Sequence, residues 1–575
     1  MMKRFRCLAL VAILAMLPAA TLFAGTVRYV TPERPFSKLI GKVTVKPVER
    51  GKTLRVPLIT WGGDVATIYA NGGHKTAPQS IMARQGLSLE LFLQDDFVSQ
   101  VKDYLEGRTP FLRGTLGMIN IAAEVLSQDP RTRPVVILQE TWSTGGDALV
   151  VRSPDIRRVK DLEGKTIVLQ QYSPHLDYLD VLLRDAGLTW RDVNVKFVEE
   201  ITLPPYDTKG SILDPANAMR NDPSVDAVMV ISPDALALTS GGKVGTGAED
   251  SVKGARILVS TKTANRVIAD VYAVRKDFLD AHRATVEKFV LGYLQGSEGV
   301  TKLVEEARSN PAPYREMTKL AAQVIFGSPQ LKGEIAGLLS DCTFVGFPGN
   351  VDFFLNPHNL QNFENLNRRI QTFLVREGYA KRQVLLTHAN WDYDRFKPHL
   401  ENVAGVELSR FKSQKQAQRI VEKVGDSTVL FAFSIQFEPN QKVFDETRYK
   451  ADFDRALDLA SRYGGAILEI VGHSDPMRVL KLKKEKASPA IIKRTERAAA
   501  NLSLLRANEV KNAILAYSKK QGIKIDHTQI VTNGKGIADP LYPKPRTREE
   551  WLANMRVDFR LLNVEAELSE FEALE

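Results

Sequence analysis

The stretch Val159-Lys160-Asp161-Leu162-Glu163-Gly164-Lys165-Thr166-Ile167-Val168-Leu169, with Gln171-Tyr172-Ser173-Pro174 close behind, carries a turn, a strand and a helix start in order. Gly164 suits the turn, and the apolar run after it reads as a buried strand. Ser173 is a good N-cap and Pro174 a good first helical residue. A helix to Asp185 and the turn Ala186-Gly187-Leu188 follow, then a strand at Val195 to Val198. Strand, helix, strand is the repeating unit of an α/β fold.

Working outward, the same alternation recurs. Upstream, Thr53 to Ile59 is a strand ending at Thr60-Trp61-Gly62-Gly63-Asp64. A helical segment to Gln85 follows, broken at Asn71-Gly72-Gly73. Leu89 to Leu93 is a strand, Val98 to Glu106 a helix, and Val135 to Gln139 a strand leading to Trp142-Ser143-Thr144-Gly145-Gly146-Asp147. Downstream, Asp226 to Val230 is a strand closed by Ser232-Pro233-Asp234, again a cap with Pro at the first helical position. Ile257 to Ser260 is placed to cross back toward the first block. Arg275 to Gln323 is largely helical, and Phe344 to Leu408 is helical and rich in Asn and aromatic residues.

The order of Gln85-Gly86-Leu87, Leu162-Glu163-Gly164-Lys165 and Asp226-Ala227-Val228 resembles the type 2 periplasmic solute-binding fold, in its nitrate, sulfonate and thiamine-precursor branch. The resemblance implies two lobes over residues 25–408, a small polar solute between them, and an inner-membrane transporter or sensor as partner. Ligands of such folds sit at strand ends beside helix N-termini. The expected solute loops therefore hold Trp61, Gly62, Gly63, Asp64, Trp142, Ser143, Thr144, Tyr172, Ser173, Ser232 and Asp234. Helix N-termini favour an anion, whereas Asp64, Asp147 and Asp234 favour an amine, so the solute stays unnamed.

Lys3, Arg4 and Arg6, an apolar run from Cys7 to Leu17, and Ala20 or Ala24 as cleavage points read as a secretory signal over residues 1–24. The mature chain keeps one cysteine, Cys342, expected as a buried free thiol with no disulfide. The net charge of +10 is moderate and Lys and Arg occur throughout, which argues against nucleic acid and for an anionic wall or membrane surface.

A separate pattern closes the chain. Val471-Gly472-His473-Ser474-Asp475 ends a strand, Asn501-Leu502-Ser503-Leu504-Leu505-Arg506-Ala507 lies on a helix, and Asn554-Met555-Arg556-Val557-Asp558-Phe559 is a last strand. Strands at Leu430 to Phe437, Ala466 to Val471 and Gln529 to Thr532, helices at Ala451 to Tyr463 and Leu502 to Tyr517, and a loop at Gly534-Lys535-Gly536 complete a βαβαββ order. This resembles the OmpA-like peptidoglycan-binding domain. The resemblance implies a small α+β domain over residues 427–565, with a linker before it (409–426) and an acidic tail after it (566–575). It also implies a Gram-negative periplasmic location, non-covalent attachment to peptidoglycan and recognition of diaminopimelate. Asp475 would accept from the ammonium of that amino acid, and Arg506 would take its carboxylate through two parallel bonds. Ser503, Asn554 and Arg556 match further positions of the motif.

Ala499 departs from the pattern, where the family carries Asn. The segment between Asp475 and Arg506 is longer than usual and carries Arg478, Lys481, Lys483, Lys484, Lys486, Lys493, Arg494 and Arg497. It reads as a solvated loop or as a contact for anionic polymer, lipid or a partner. No nucleophile elbow, zinc motif, phosphate loop or Cys–His cluster occurs, so no catalytic residue, metal or cofactor is expected, and the chain is read as a binder rather than an enzyme. An inert wall-tethered scaffold and an enzyme on the same fold are the alternatives.

Overall fold

In the computed structural model, described over residues 26–49, 51, 53–202, 211–212, 214–406, 411–424, 428–436 and 448–565, Gly164 turns at φ 73° into the strand Thr166–Gln170. That strand pairs in parallel with Ala227–Ile231 on one side and Asn194–Val198 on the other. Asp147–Val151 and Arg256–Ser260 extend the sheet antiparallel. The helix begins at His175, one residue later than the sequence suggests, and the Ser173 hydroxyl accepts from the His175 N–H. At the next strand end the helix starts at Ser232 itself, so Ser232 is not a cap.

A second sheet runs in the order Cys342–Phe344, Pro134–Ser143, Ala269–Arg275, Phe111–Thr115. The parallel pair Leu54–Leu58 and Leu89–Leu93 lies beside it. The Thr109 and Tyr272 hydroxyls donate to the carbonyls of Arg55 and Pro57 and join the two. Two segments pass between the sheets: Ser143 to Asp147, and Ser260 to Ala269. Thr261 sews them together, its hydroxyl accepting from the Gly145 and Asp147 N–H groups at 3.0 and 3.1 Å. The chain thus enters and leaves the second sheet through connections that sit side by side.

The helix Asp64–Asn71 ends at Gly72 in left-handed backbone, as the Gly pair suggests. Residues 344 to 406 wrap back on the first lobe. The Trp391 indole donates to the Ile137 carbonyl, and Gln371 bonds Asn120.

The last sheet has the order Val429–Gln436, Arg556–Leu562, Ile467–His473, Ile530–Gly536, with only the final pair parallel. Gly534 to Gly536, expected as a loop, belong to its edge strand. Helices Lys450–Arg462 and Pro489–Lys520 cover one face. The stretch expected as a linker contains the helix Gln414–Val424. Its Ala417, Ile420 and Val421 are buried with Ile467, Val531 and Leu562, so it is part of the last domain's packing. The basic segment is helical as well, made of Met477–Lys484 and the first half of Pro489–Lys520. The signal segment and the acidic tail lie outside the described residues. No helix among those described is long and apolar enough to cross a membrane.

Candidate functional site

Two groups of residues carry the chemistry. The first lies at the carboxyl end of the strand Ile467–His473. Gly472 there faces the helix Pro489–Lys520 so closely that an added Cβ would sit 1.9 Å from the Ser503 carbonyl oxygen. Gly534 meets Leu504 in the same way, at 2.6 Å. Ser503 is fully buried, donates to the Ala500 carbonyl at 2.7 Å and accepts from the Gly536 N–H at 2.9 Å. It locks helix to sheet and has no surface to offer a ligand.

That docking sets Arg506 beside the strand end, where its Nη1 donates to the His473 carbonyl at 3.4 Å. Burial pulls the guanidinium below its ordinary value, with no ion-pair partner for it among the described residues. Asp475 is also half-buried, and its Oδ1 accepts from the Met477 N–H at 2.8 Å. Burial pushes its carboxyl up, against hydrogen bonds from Asn554, Met477 and Trp551. Asp475 and Arg506 do not pair with each other.

Asn554 is fully buried and acts as a bracket. Its amide donates to Asp475 Oδ2 at 3.0 Å and to the Tyr542 carbonyl at 2.8 Å, while its oxygen accepts from the Tyr542 N–H. Arg556, expected at the ligand, is 5% exposed and bonds Asp558 at 2.9 Å and the Asp539 carbonyl at 3.2 Å. His473 completes this internal network, with Nε2 2.9 Å from Asp558. Burial raises the Asp558 carboxyl, but hydrogen bonds from His473 and Ser434 and the nearby cations outweigh it and hold it at about 2. Asn554 thus braces Asp475 and Ser503 braces the helix that carries Arg506, whereas Arg556 is tied to Asp558 and Asp539.

The second group surrounds the crossing between the lobes. The Trp61 indole donates to the Thr141 hydroxyl at 2.9 Å, and its ring lies against Gly146. The Ser232 N–H donates to the Gly146 carbonyl at 2.8 Å. The Thr144 hydroxyl meets that of Thr343 at 2.9 Å. Trp61, Thr144 and Ser232, from three chain segments, are therefore brought together. Asp341 stands next to them, its carboxyl pushed up to about 6 by burial and by Asp147. Ser143 is buried and spent on Asp147 at 2.7 Å, which also holds His175 at 2.9 Å.

Other expected solute residues point elsewhere. Asp64 has no exposed surface and is bound by Arg113 at 2.8 Å. Arg113 also meets Glu140 at 2.5 Å and Asp270 at 3.1 Å, all nearly or fully buried. Gly62 and Gly63 are buried, Gly62 because Cys342 Sγ and the Leu338 carbonyl approach its backbone. Cys342 is a buried free thiol, pushed well up by burial. Tyr172 donates to the Glu33 carbonyl and packs edge-on against Phe36 and Tyr379. Ser173 is 2% exposed and donates to the Gln170 carbonyl. Asp234 is held by Thr202 and raised to about 6 by burial. Trp142 packs on Phe353 and faces a different cavity, of about 830 Å³, beside Arg266 and Asp352.

Arg113 and Asp341 were not singled out in the sequence. A lone arginine within the apolar strand Phe111-Leu112-Arg113-Gly114-Thr115 is the signal for the first; nothing local marks the second.

No family model matches the chain, and no curated protein sequence matches it. Solved structures do resemble it. The periplasmic aliphatic sulphonate binding protein SsuA from Escherichia coli aligns with TM-score 0.40 and 16% identity, over 63% of this chain and 96% of that one. The alkanesulfonate-binding protein SsuA from Xanthomonas axonopodis pv. citri, bound to MOPS, aligns with TM-score 0.38 and 16% identity, over 59% and 98%. The desulfurization enzyme DSZB aligns with TM-score 0.38 and 17% identity, over 61% and 99%. The chain itself is a mixed α/β body of two lobes with a four-stranded domain docked on it.

Proposed function

We propose that this protein holds a small polar solute between its two lobes and is kept on peptidoglycan by its last domain, in the periplasm. The pair Asp475 and Arg506 carries the reading. Both charges are half-buried at one strand end, and among the described residues neither has an ion-pair partner. Holding an unpaired charge partly out of water costs free energy. A ligand with an ammonium and a carboxylate on one centre, as in diaminopimelate, recovers that cost on both groups at once. The side-by-side crossings support the solute half, because two adjacent connections let two lobes close as rigid bodies. Trp61, Thr144 and Ser232 are the residues such closure would bring onto a solute. Its delivery to a membrane transporter or sensor is part of the same proposal.

The test is co-sedimentation of residues 25–575 with purified sacculi. Asp475→Ala and Arg506→Ala should each weaken binding by about 2 kcal/mol or more. Arg506→Lys should weaken it too, since a point charge cannot make the two-pronged contact. Variants that sediment like the parent would remove the site, and a parent that stays in the supernatant would remove the wall reading.

A further inference from the structure

The basic segment between the two wall residues forms a helical hairpin that the preceding reading does not use. Asp475 accepts from the N–H of Met477 at its start, and Arg506 lies beyond its end. Lys486, in left-handed backbone at φ 54°, turns the chain between the helices, and Ser488 caps the second. Val479 is the one fully buried side chain of the first helix, and the second buries none before Ser503. Core packing therefore does not explain this apolar and basic composition.

Two features of its surface do. From Met477 to Leu502 there are eight basic residues against Glu485 and Glu496, a net charge of +6 in a chain whose total is +10. Among the described residues, the cations from 477 to 502 form the ion pairs Lys481–Glu485 at 3.9 Å and Lys483–Glu496 at 3.2 Å, and most of them face solvent. Beside them runs an exposed apolar stripe. Ile491, Leu502 and Leu505 are 52%, 47% and 60% exposed. With Arg494 and Ala498 between them, they recur at three- and four-residue steps and so share one face of the helix over roughly 21 Å.

We infer that this hairpin is a docking surface for an anionic bilayer, its cations on the lipid phosphates and its apolar stripe in the headgroup boundary. A soluble acidic polymer would account for the charge alone. The stripe of large apolar side chains alongside the cations is what an interfacial helix requires. The inference does not rest on the wall reading, although the two surfaces adjoin.

The experiment is sedimentation of residues 25–575 with vesicles of phosphatidylcholine, with and without phosphatidylglycerol. Binding is expected only with the anionic lipid, and should fall as salt rises. Lys484→Gln, Lys493→Gln, Arg494→Gln and Arg497→Gln together should lower affinity about five-fold per cation, so roughly 10²–10³-fold. Ile491→Ser with Leu502→Ser should weaken what binding survives at high salt. All these side chains are solvent-facing, so the melting profile should not move. Equal sedimentation with and without phosphatidylglycerol would overturn the inference, as would retained binding in the four-fold variant. A parent that ignores vesicles, while the four-fold variant alone loses sacculi, would assign the hairpin to wall polymer instead. Asp475→Asn keeps a side-chain oxygen for the Met477 N–H, so it should leave vesicle binding intact while reducing sacculus binding. That contrast separates failure of this surface from failure of the wall site.

Discussion

Replacing Arg113 by Met should destabilise the two-lobed body, and more at alkaline than at acidic pH. Arg113 has no exposed surface and faces three carboxylates, Asp64, Glu140 and Asp270. Burial pushes Asp64 up to about 7 and Asp270 up to about 6, while Arg113 pulls both down. Burial also lifts Glu140 well above its ordinary range. Removing one partner of a buried ionic cluster costs about 3–5 kcal/mol, because the charges left behind have no water and no counter-ion.

The carboxylates escape that penalty by taking up protons. A carboxyl raised in the folded state contributes stability below its unfolded range, near 3.8, and loses it as pH rises through its folded value. Without the guanidinium those folded values climb further. The loss in Arg113→Met should therefore be smallest near pH 5 and largest near pH 8, a window spanning the shifts of Asp64 and Asp270. Urea denaturation of residues 25–575, followed by circular dichroism at both pH values, gives the comparison. Asp64→Asn added to Arg113→Met should recover part of the alkaline loss, because it removes one of the stranded charges. A loss below about 1 kcal/mol, or one equal at both pH values, would refute the reasoning.

Two further outcomes follow from the contacts between elements. Arg462 is 6% exposed and joins Asp185 of the second lobe at 2.6 Å to Asp458 at 2.5 Å, so Arg462→Met should loosen the last domain from the body by about 3 kcal/mol; a separate, earlier unfolding transition should then appear in calorimetry, and an unchanged single transition would refute it. Gly472→Ala places a Cβ against the Ser503 carbonyl and should cost about 1–3 kcal/mol in the last domain, with wall binding reduced because the helix carrying Arg506 is displaced; an unchanged melting midpoint would show that the helix docks elsewhere.

The alternation of strands and helices was legible because periodicity and caps are local. Gly164, Gly72 and the apolar run Thr166 to Leu169 each announce their element within a few residues. So do the strand ending at His473 and the closing strand from Arg556. The places of Asp475 just past a strand end and of Arg506 on the following helix were legible from their local phrases.

The fate of each polar side chain was settled by partners far along the chain. Asp64 meets Arg113 49 residues on, and Arg113 meets Asp270 157 residues further. No local signal tells a carboxylate at a helix start that a buried guanidinium will claim it. Ser503 and Arg556 were claimed by internal partners, Gly536 and Asp558, instead of facing a ligand. The helix Gln414–Val424 was disguised by its polar surface, because only the apolar face shows once the strands it covers are in place. Sequence by itself determined most of the strand and helix order and set Asp475 past a strand end and Arg506 on a helix. Tertiary structure alone decided which charges are neutralised, because desolvation and pairing depend on neighbours that only the folded chain brings within a few ångströms.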